Sequence, residues 1–518
     1  MLFNSLQFLL LFLPVTLAGF YLLLHFGKRD WIYAWLVGAS LIFYAVWNPP
    51  YVALLVLSMV GNHALARQIE RLRPVRPSAA SAALYLGVAV NVGLLIYYKY
   101  ANFFLDITNS VADTDWTLHK IILPLAISFY TLQQVAFLVD VARGDVKTTS
   151  LARYATFVIF FPQLIAGPIV HYREMMPQFF GRAAGRFASA NIMVGLVIFA
   201  IGLFKKTVIA DTAAGFSTPI FTAARIGADI GLVDGWTAVF CYTIQLYFDF
   251  SGYSDMAVGL ARMFGIILPM NFHSPLRAGS IIDYWRRWHM TLQRFIVAYI
   301  FQPIVLPLAR LAAQWGLGKW QGFALATVLP TMLSFIISGL WHGAAWTFVL
   351  WGMMHGVYVA VNEFWRQYRR KARRKAPPGR GDVGLYYVIT LLAVLFANVM
   401  LRAEGVGSAL AVWGGMLRLD QLASLGDFVP MSLAEVFSKP LVLIVIGMAL
   451  IAFFPNTQQL MTRYRPVLEW DVWKRVAPPV ISLTWRPTLV WAVATGLVLM
   501  LGTVFILRGQ SEFIYFNF

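Results

Sequence analysis

Apolar residues run along this chain in blocks of about twenty, closed at their ends by short clusters of arginine, lysine, glycine and proline. A helix needs about 20 such residues to cross a bilayer's hydrocarbon. Blocks near 6–25, 31–47, 50–66, 80–98, 120–141, 190–210, 235–260, 320–340, 341–363, 385–402, 440–455 and 488–507 predict spans. Stretches near 155–170 and 290–310 are apolar too, but Pro162, Pro168, Pro303 and Pro307 interrupt them. These read as re-entrant or tilted pieces, which are tolerated only where protein or a cavity covers the backbone. The pattern predicts an all-α polytopic membrane protein of about 11–13 transmembrane or re-entrant helices.

Composition agrees. Of 518 residues, 59% are hydrophobic and 12% charged, against roughly 25% charged in soluble domains. The net charge of +18 does not mark a nucleic-acid partner, because the basic residues sit at the ends of apolar runs. That is the positive-inside arrangement of a membrane protein. Lys28-Arg29, Arg67 to Arg76, Arg143 to Arg153, Arg366 to Arg380 and Arg463 to Arg486 are cytoplasmic candidates. Alternation from these places both termini outside. Arg366 to Arg380, the densest basic block, reads as a solvated loop touching anionic membrane lipid, with a donor-binding role as the alternative. The apolar run after Met1 lacks a basic leader and a small-residue cleavage site, so it reads as a span. No separate extramembrane domain is evident, and residues 1–518 are expected to form one membrane-embedded domain. The single cysteine, Cys241, allows no intramolecular disulfide and no cysteine metal site. It reads as a small buried hydrophobe. No histidine spacing suggests a metal centre.

Candidate chemistry sits in three places. His342 lies within Gly339-Leu340-Trp341-His342-Gly343-Ala344-Ala345 and His289 ends Trp285-Arg286-Arg287-Trp288-His289. Ionisable groups at membrane depth are functional-site hypotheses by default. Two histidines, one beside paired arginines, suggest chemistry on a charged substrate in a shielded site. Small residues around His342 permit close approach of a helix or ligand. Helical spacing would put Trp285, His289, Leu292 and Ile296 on one face and pair Asp283 with Arg287. A satisfied structural histidine remains the other reading for His289, and packing is the reading for His355. The second cluster runs from Gln245 through Asp249, Ser251, Tyr253 and Asp255. Its acids must pair or line water, with Arg262, Arg286, Arg287 and Arg294 as available partners. An ion-pair network clamping helices is the plain alternative to a reactive role. The third is the tail, Phe513-Ile514-Tyr515-Phe516-Asn517-Phe518, too aromatic to float in water. It either anchors at the interface or tucks back into the protein.

In their order and spacing these residues resemble the membrane-bound O-acyltransferases, in the branch of bacterial alginate and cell-surface polysaccharide O-acetyltransferases. The resemblance rests on Pro124 to Gln134, Phe161 to Ile169, Gly202-Leu203-Phe204-Lys205-Lys206, Tyr247 to Ala257, Trp285 to His289 and Gly339 to Gly343, within a core near 120–365. It implies a horseshoe-like helical core around a tunnel, with His342 catalytic and His289 its companion. It also implies that Tyr515, in the tail 509–518, carries the acyl group to an extracytoplasmic partner. Where relatives continue to a Gly-Gly-Asn-Arg stretch, this chain has Phe301 to Pro307, which leaves the polymer open. The expected donor is acetyl-CoA, or an acyl carrier protein, at the cytoplasmic face of a bacterial inner membrane, with no metal. Arg286 and Arg287, together with Lys205 and Lys206, are candidates to bind the donor. Trp288 and Trp341 are expected to line the tunnel. His342 would act as general base on the tyrosine hydroxyl, whose ordinary pKa is about 10. A neutral His289 or a nearby donor would stabilise the oxyanion. A periplasmic SGNH-type acetyltransferase would then esterify a polysaccharide. The alternatives are direct acylation of a lipid or peptide hydroxyl, or a transporter of an anionic or acylated solute.

Overall fold

The computed structural model describes residues 1–27, 29–118, 121–180, 189–369, 379–421, 439–507 and 514. Among these the regular structure is helical throughout, with no strand. Eight helices are long and apolar enough to cross a membrane: Phe8–His25, Pro50–Leu72, Pro77–Ala112, Ser189–Arg225, Met290–Gln314, Lys319–His342, Gly381–Arg402 and Leu489–Ile506. Asp30–Ala45, Val406–Met416 and Pro440–Phe453 are shorter apolar helices.

Two expectations change. Residues 290–314 form one continuous helical run, long enough to cross a membrane and mostly uncovered by protein, where an interrupted re-entrant or tilted piece was expected. Pro303 and Pro307 both lie inside this run, and a π-helical stretch at Val297–Phe301 immediately precedes the first of them. A proline inside a helix removes an N–H, and a local π adjustment accommodates the break. In the span expected near 120–141, the helix begins only at Ile127. Pro124 and the left-handed Ala126, at φ 61°, keep residues 121–126 out of the helix. The segment near 155–170 behaves as expected: Leu151–Ile159 and Phe161–Leu164 are short, buried helices.

The Leu232–Met263 helix runs through the core, and nearly every residue from Ala238 to Met263 is buried. It packs against Ser189–Phe204 through two pairs of glycines. A Cβ on Gly195 would stand 2.5 Å from Gly259 O, and one on Gly202 would stand 2.6 Å from Gly252 O. The seven-residue spacing on both helices puts each pair at the same contact line, the close approach small residues permit. One turn further on, this approach brings Lys205 and Lys206 alongside Asp255 and Asp249. The Leu329–His342 and Trp346–Tyr368 helices form a second tight pair. A Cβ on Gly339 would collide with Phe348 O, and one on Gly352 with Phe335 O. The extended residues Gly343 and Ala345 turn the chain between them.

Candidate active site

His342 is the last residue of the Leu329–His342 helix, and its neighbours are fixed from outside that helix. A helix end leaves carbonyls without intrahelical partners. Here Tyr100 Oη donates to Leu340 O at 2.6 Å, and Lys99 Nζ donates to Trp341 O at 2.5 Å and to His342 O at 3.1 Å. A cation at this end also complements the helix dipole.

His289 does not lie on the face of a continuous helix. The Ile281–Arg287 helix stops, Trp288 is extended, and His289 takes φ 45°, ψ 50° before Met290–Ile296 begins. Left-handed backbone at a bulky residue persists only where surroundings impose it. Asn271 does so: its backbone carbonyl accepts Met290 N–H at 2.9 Å, and its Oδ1 accepts Thr291 Oγ1–H at 2.9 Å. Its Nδ2 donates to Ser254 Oγ at 3.1 Å, and its Oδ1 also accepts the Thr291 backbone N–H at 3.4 Å, a group that can only donate and so fixes the orientation of the amide. His289 Nδ1, 3.1 Å from the same Oδ1, is therefore the protonated nitrogen, leaving Nε2 as the acceptor.

The two imidazoles share Trp341, whose ring centroid lies 5.9 Å from that of His289 and 5.0 Å from that of His342. Phe250 packs edge-on to His289 at 4.7 Å and Trp351 edge-on to His342 at 5.1 Å. Both histidines are almost wholly buried, at 1% and 4% exposure, so bulk water does not compete for them. One cavity, of about 140 Å³, is lined by His342, Trp341, Lys99, Pro124, Ser128 and Phe129. A second, of about 130 Å³, is lined by Gln293, one turn past His289, and by Ser334, Phe335 and Ser338, the last one turn before His342. The hydroxyls of Ser334 and Ser338 are buried without a partner among the described residues.

The other expected residues divide. Arg286 is exposed. Arg287 is held by Asp283, as the spacing predicts, with Nη2 at 2.6 Å and Nε at 2.9 Å from its carboxylate. Lys205 and Lys206, expected to bind the donor, are instead buried in ion pairs. Lys205 Nζ lies 2.6 Å from Asp255, and Lys206 Nζ lies 2.7 Å from both Asp249 and Asp211. The glycine contact explains this, since it lays these lysines alongside the acids, and none of the expected arginines pairs with Asp249 or Asp255 among the described residues. Asp255 also accepts Thr457 and Gln458 at 2.6 and 2.7 Å. Tyr253 stacks on Phe3, Ser251 is buried in the same helix, and Gln245 accepts from Ser217 at 3.1 Å. Trp288 stacks on Tyr284 and meets Phe272 edge-on. His355 packs among Trp285, Trp351 and Tyr284 and accepts Trp285 Nε1–H at 3.2 Å, the packing role expected of it. Tyr515 lies outside the described residues. Its neighbour Ile514 is buried and donates its backbone N–H to Asp249 Oδ2 at 3.0 Å.

The sequence reading missed Lys99, Tyr100, Asn271, Phe250 and Trp351. Lys99 had a signal, a lone cation inside Leu94-Leu95-Ile96-Tyr97-Tyr98-Lys99-Tyr100, which was absorbed as the flank of a span. Asn271 had none, because its role depends on a contact made by folding.

Residues 115–401 match the model of the membrane-bound O-acyltransferase family. The peptidoglycan O-acetyltransferase of Helicobacter pylori is 39% identical over 446 residues, covering 81% of this chain and 80% of its own. A protein of Pseudomonas putida named probable alginate O-acetylase AlgI is 32% identical over the whole of both chains. Its namesake in Azotobacter vinelandii is 34% identical over 88% of this chain and 83% of its own. The chain belongs to the membrane-bound O-acyltransferase family. It is a multi-pass membrane acyltransferase.

Proposed function

We propose that the protein moves an acetyl group from a cytoplasmic thioester, acetyl-CoA or an acyl carrier protein, to Tyr515. From there the group passes to a periplasmic SGNH-type acetyltransferase that esterifies a polysaccharide or cell-wall polymer. The observation that carries the reading is the pair His342 and His289 packed on Trp341, with one cavity at His342 and another a single turn behind it. A donor and an acceptor can then approach from different sides.

In the reaction His342 takes the proton of the tyrosine hydroxyl as its oxygen attacks the thioester carbon. The carbonyl electron pair moves to oxygen. Collapse breaks the C–S bond, and the thiolate leaves with the proton His342 gathered. His289, with Nε2 as an acceptor, orients or receives the proton and is unsuited to donate to an oxyanion. Ser334 and Ser338 suit the amide-bearing arm of a pantetheine thioester, which can pair their hydroxyls. Arg286, exposed at the start of the same motif, is the candidate for the donor's phosphates.

The Ile514 N–H bond to Asp249 supports the tyrosine route. Asp249 and Phe250 are neighbours on the Leu232–Met263 helix, and Phe250 packs against His289, so Ile514 is tied to the helix that carries this contact. The polymer is assigned from the relatives' names and the inner-membrane orientation from the basic loops, with both termini periplasmic. Mass spectrometry of the C-terminal peptide after incubation with labelled acetyl-CoA tests the route. One acetyl group on Tyr515, absent in His342→Ala, is expected. A label elsewhere rules out the tyrosine carrier.

A further inference from the structure

We infer that Lys99 is a catalytic residue, donating an N–H to the oxyanion that forms on the thioester carbonyl. The inference rests on the acyl-transfer reading above and adds a part it lacks.

Acyl transfer needs a donor aimed at the carbonyl oxygen as it becomes charged. The Asn271 bond takes His289 out of that role, because it holds the proton on Nδ1 and leaves Nε2 a lone pair. Trp341 Nε1 is buried without a partner among the described residues. It sits on a ring wedged between both imidazoles, which confines where it can reach. Lys99 is different. An ammonium has three N–H donors, and the Lys99 amine uses two, on Trp341 O and His342 O. Its side chain is partly exposed, and it lines the cavity that His342 also lines. The remaining donor thus belongs to the space where a bound carbonyl meets the base.

A cation at membrane depth is costly unless it has a task or a partner. The two carbonyls and the negative end of the histidine helix keep Lys99 in place before substrate arrives, so little reorganisation is needed when charge develops. Holding both carbonyls also fixes the amine relative to the imidazole on the same helix turn. When the tyrosine oxygen bonds to the thioester carbon, the carbonyl pair localises on oxygen and Lys99 Nζ–H bonds to it. When the C–S bond breaks, the pair returns to the carbonyl and the bond to Lys99 weakens. Lys99 itself neither gains nor loses a proton.

The test uses the full chain in detergent or nanodiscs and compares Lys99→Met with Tyr100→Phe. Tyr100 shares the task of holding the helix end but does not line the cavity. Lys99→Met is expected to lower kcat by about a hundredfold to a thousandfold, as loss of one oxyanion donor does, with donor KM little changed. Tyr100→Phe should cost less than tenfold. Equal losses in the two variants would make Lys99 a support for the helix and overturn the inference.

A second measurement covers a Lys99→Met protein that fails to fold. A ketone analogue of acetyl-CoA, with methylene in place of sulfur and carbon-13 at the carbonyl, is bound to His289→Ala protein and its carbonyl stretch recorded. A stretch lowered from its value in water, as in the wild type, supports a donor other than His289. A stretch returned to the aqueous value overturns the inference. Wild-type protein that transfers no acetyl group overturns both this inference and the function it rests on, whereas transfer that survives Lys99→Met intact overturns this one alone.

Discussion

Lys206 Nζ and Asp249 Oδ1 stand 2.7 Å apart with side chains 2% and 1% exposed, tying the Ser189–Phe204 end to the central helix. Removing one partner of a buried ion pair leaves the other charge unpaired, at about 3–5 kcal/mol. Lys206→Met should therefore lower the unfolding temperature in detergent sharply. Lys206→Met with Asp249→Asn should recover part of the loss. A single variant as stable as the wild type contradicts the pair's structural role.

His342→Ala should abolish acetyl transfer while leaving membrane insertion and yield near normal. Asn271→Leu is the subtler test, because it removes the acceptor that sets the His289 tautomer. Such supporting partners are typically worth tenfold to a hundredfold in activity. Turnover should fall by about that factor, with donor binding retained. Unchanged turnover in Asn271→Leu would show that the tautomer is immaterial.

Arg286 and Arg287 are adjacent but differently engaged. Arg287 holds Asp283 through two bonds, whereas Arg286 is exposed. Arg286→Ala should weaken donor affinity more than it lowers kcat. Arg287→Ala should lower the thermal stability of the Ile281–Arg287 region and alter both constants together. Equal effects of the two on donor affinity would reject the division.

Tyr515→Phe should stop polymer acetylation in cells expressing the periplasmic partner, while keeping the tail's aromatic character. Phenylalanine removes only the hydroxyl, so an anchor role predicts near-normal acetylation. Asp249→Asn keeps an acceptor for Ile514 while Asp249→Ala removes it, so hydrogen exchange at the Ile514 amide should quicken in the Ala variant alone. Equal exchange in the two variants would mean that this bond does not hold Ile514.

Gly202→Ala places a methyl group 2.6 Å from Gly252 O, and the helices must separate to admit it. Overpacking of this kind costs about 1–3 kcal/mol. The folded yield should drop, and the neighbouring Lys205 and Lys206 pairs should loosen with it. Wild-type stability in this variant would argue that the contact is slack.

Much of this was readable from the chain, and the failures share a cause. Apolar run length located most helices, because hydrocarbon thickness sets it. His342 stood out because an imidazole among glycines and alanines has few packing explanations. His289 was misplaced because a helical period was carried through Trp288, and only the Asn271 contact reveals the break. Lys205 and Lys206 looked available because Asp255 and Asp249 are 50 and 43 positions away in sequence. The glycine pairs that align them become visible once two helices are laid side by side. The 290–314 run looked broken because Pro303 and Pro307 lie inside it, and the π-helical stretch before Pro303 leaves no mark in the sequence.

The bonds from Lys99 and Tyr100 to the histidine helix cross some 240 positions of chain. They begin before residue 115, where the family match starts. A fragment cut at that boundary would keep both histidines and lose the three bonds that finish the helix ending in His342. Hybrids between relatives that exchange only the leading segment would likewise exchange the side chains that finish this helix. A donor of that segment must bring its own amine and hydroxyl to the same three carbonyls.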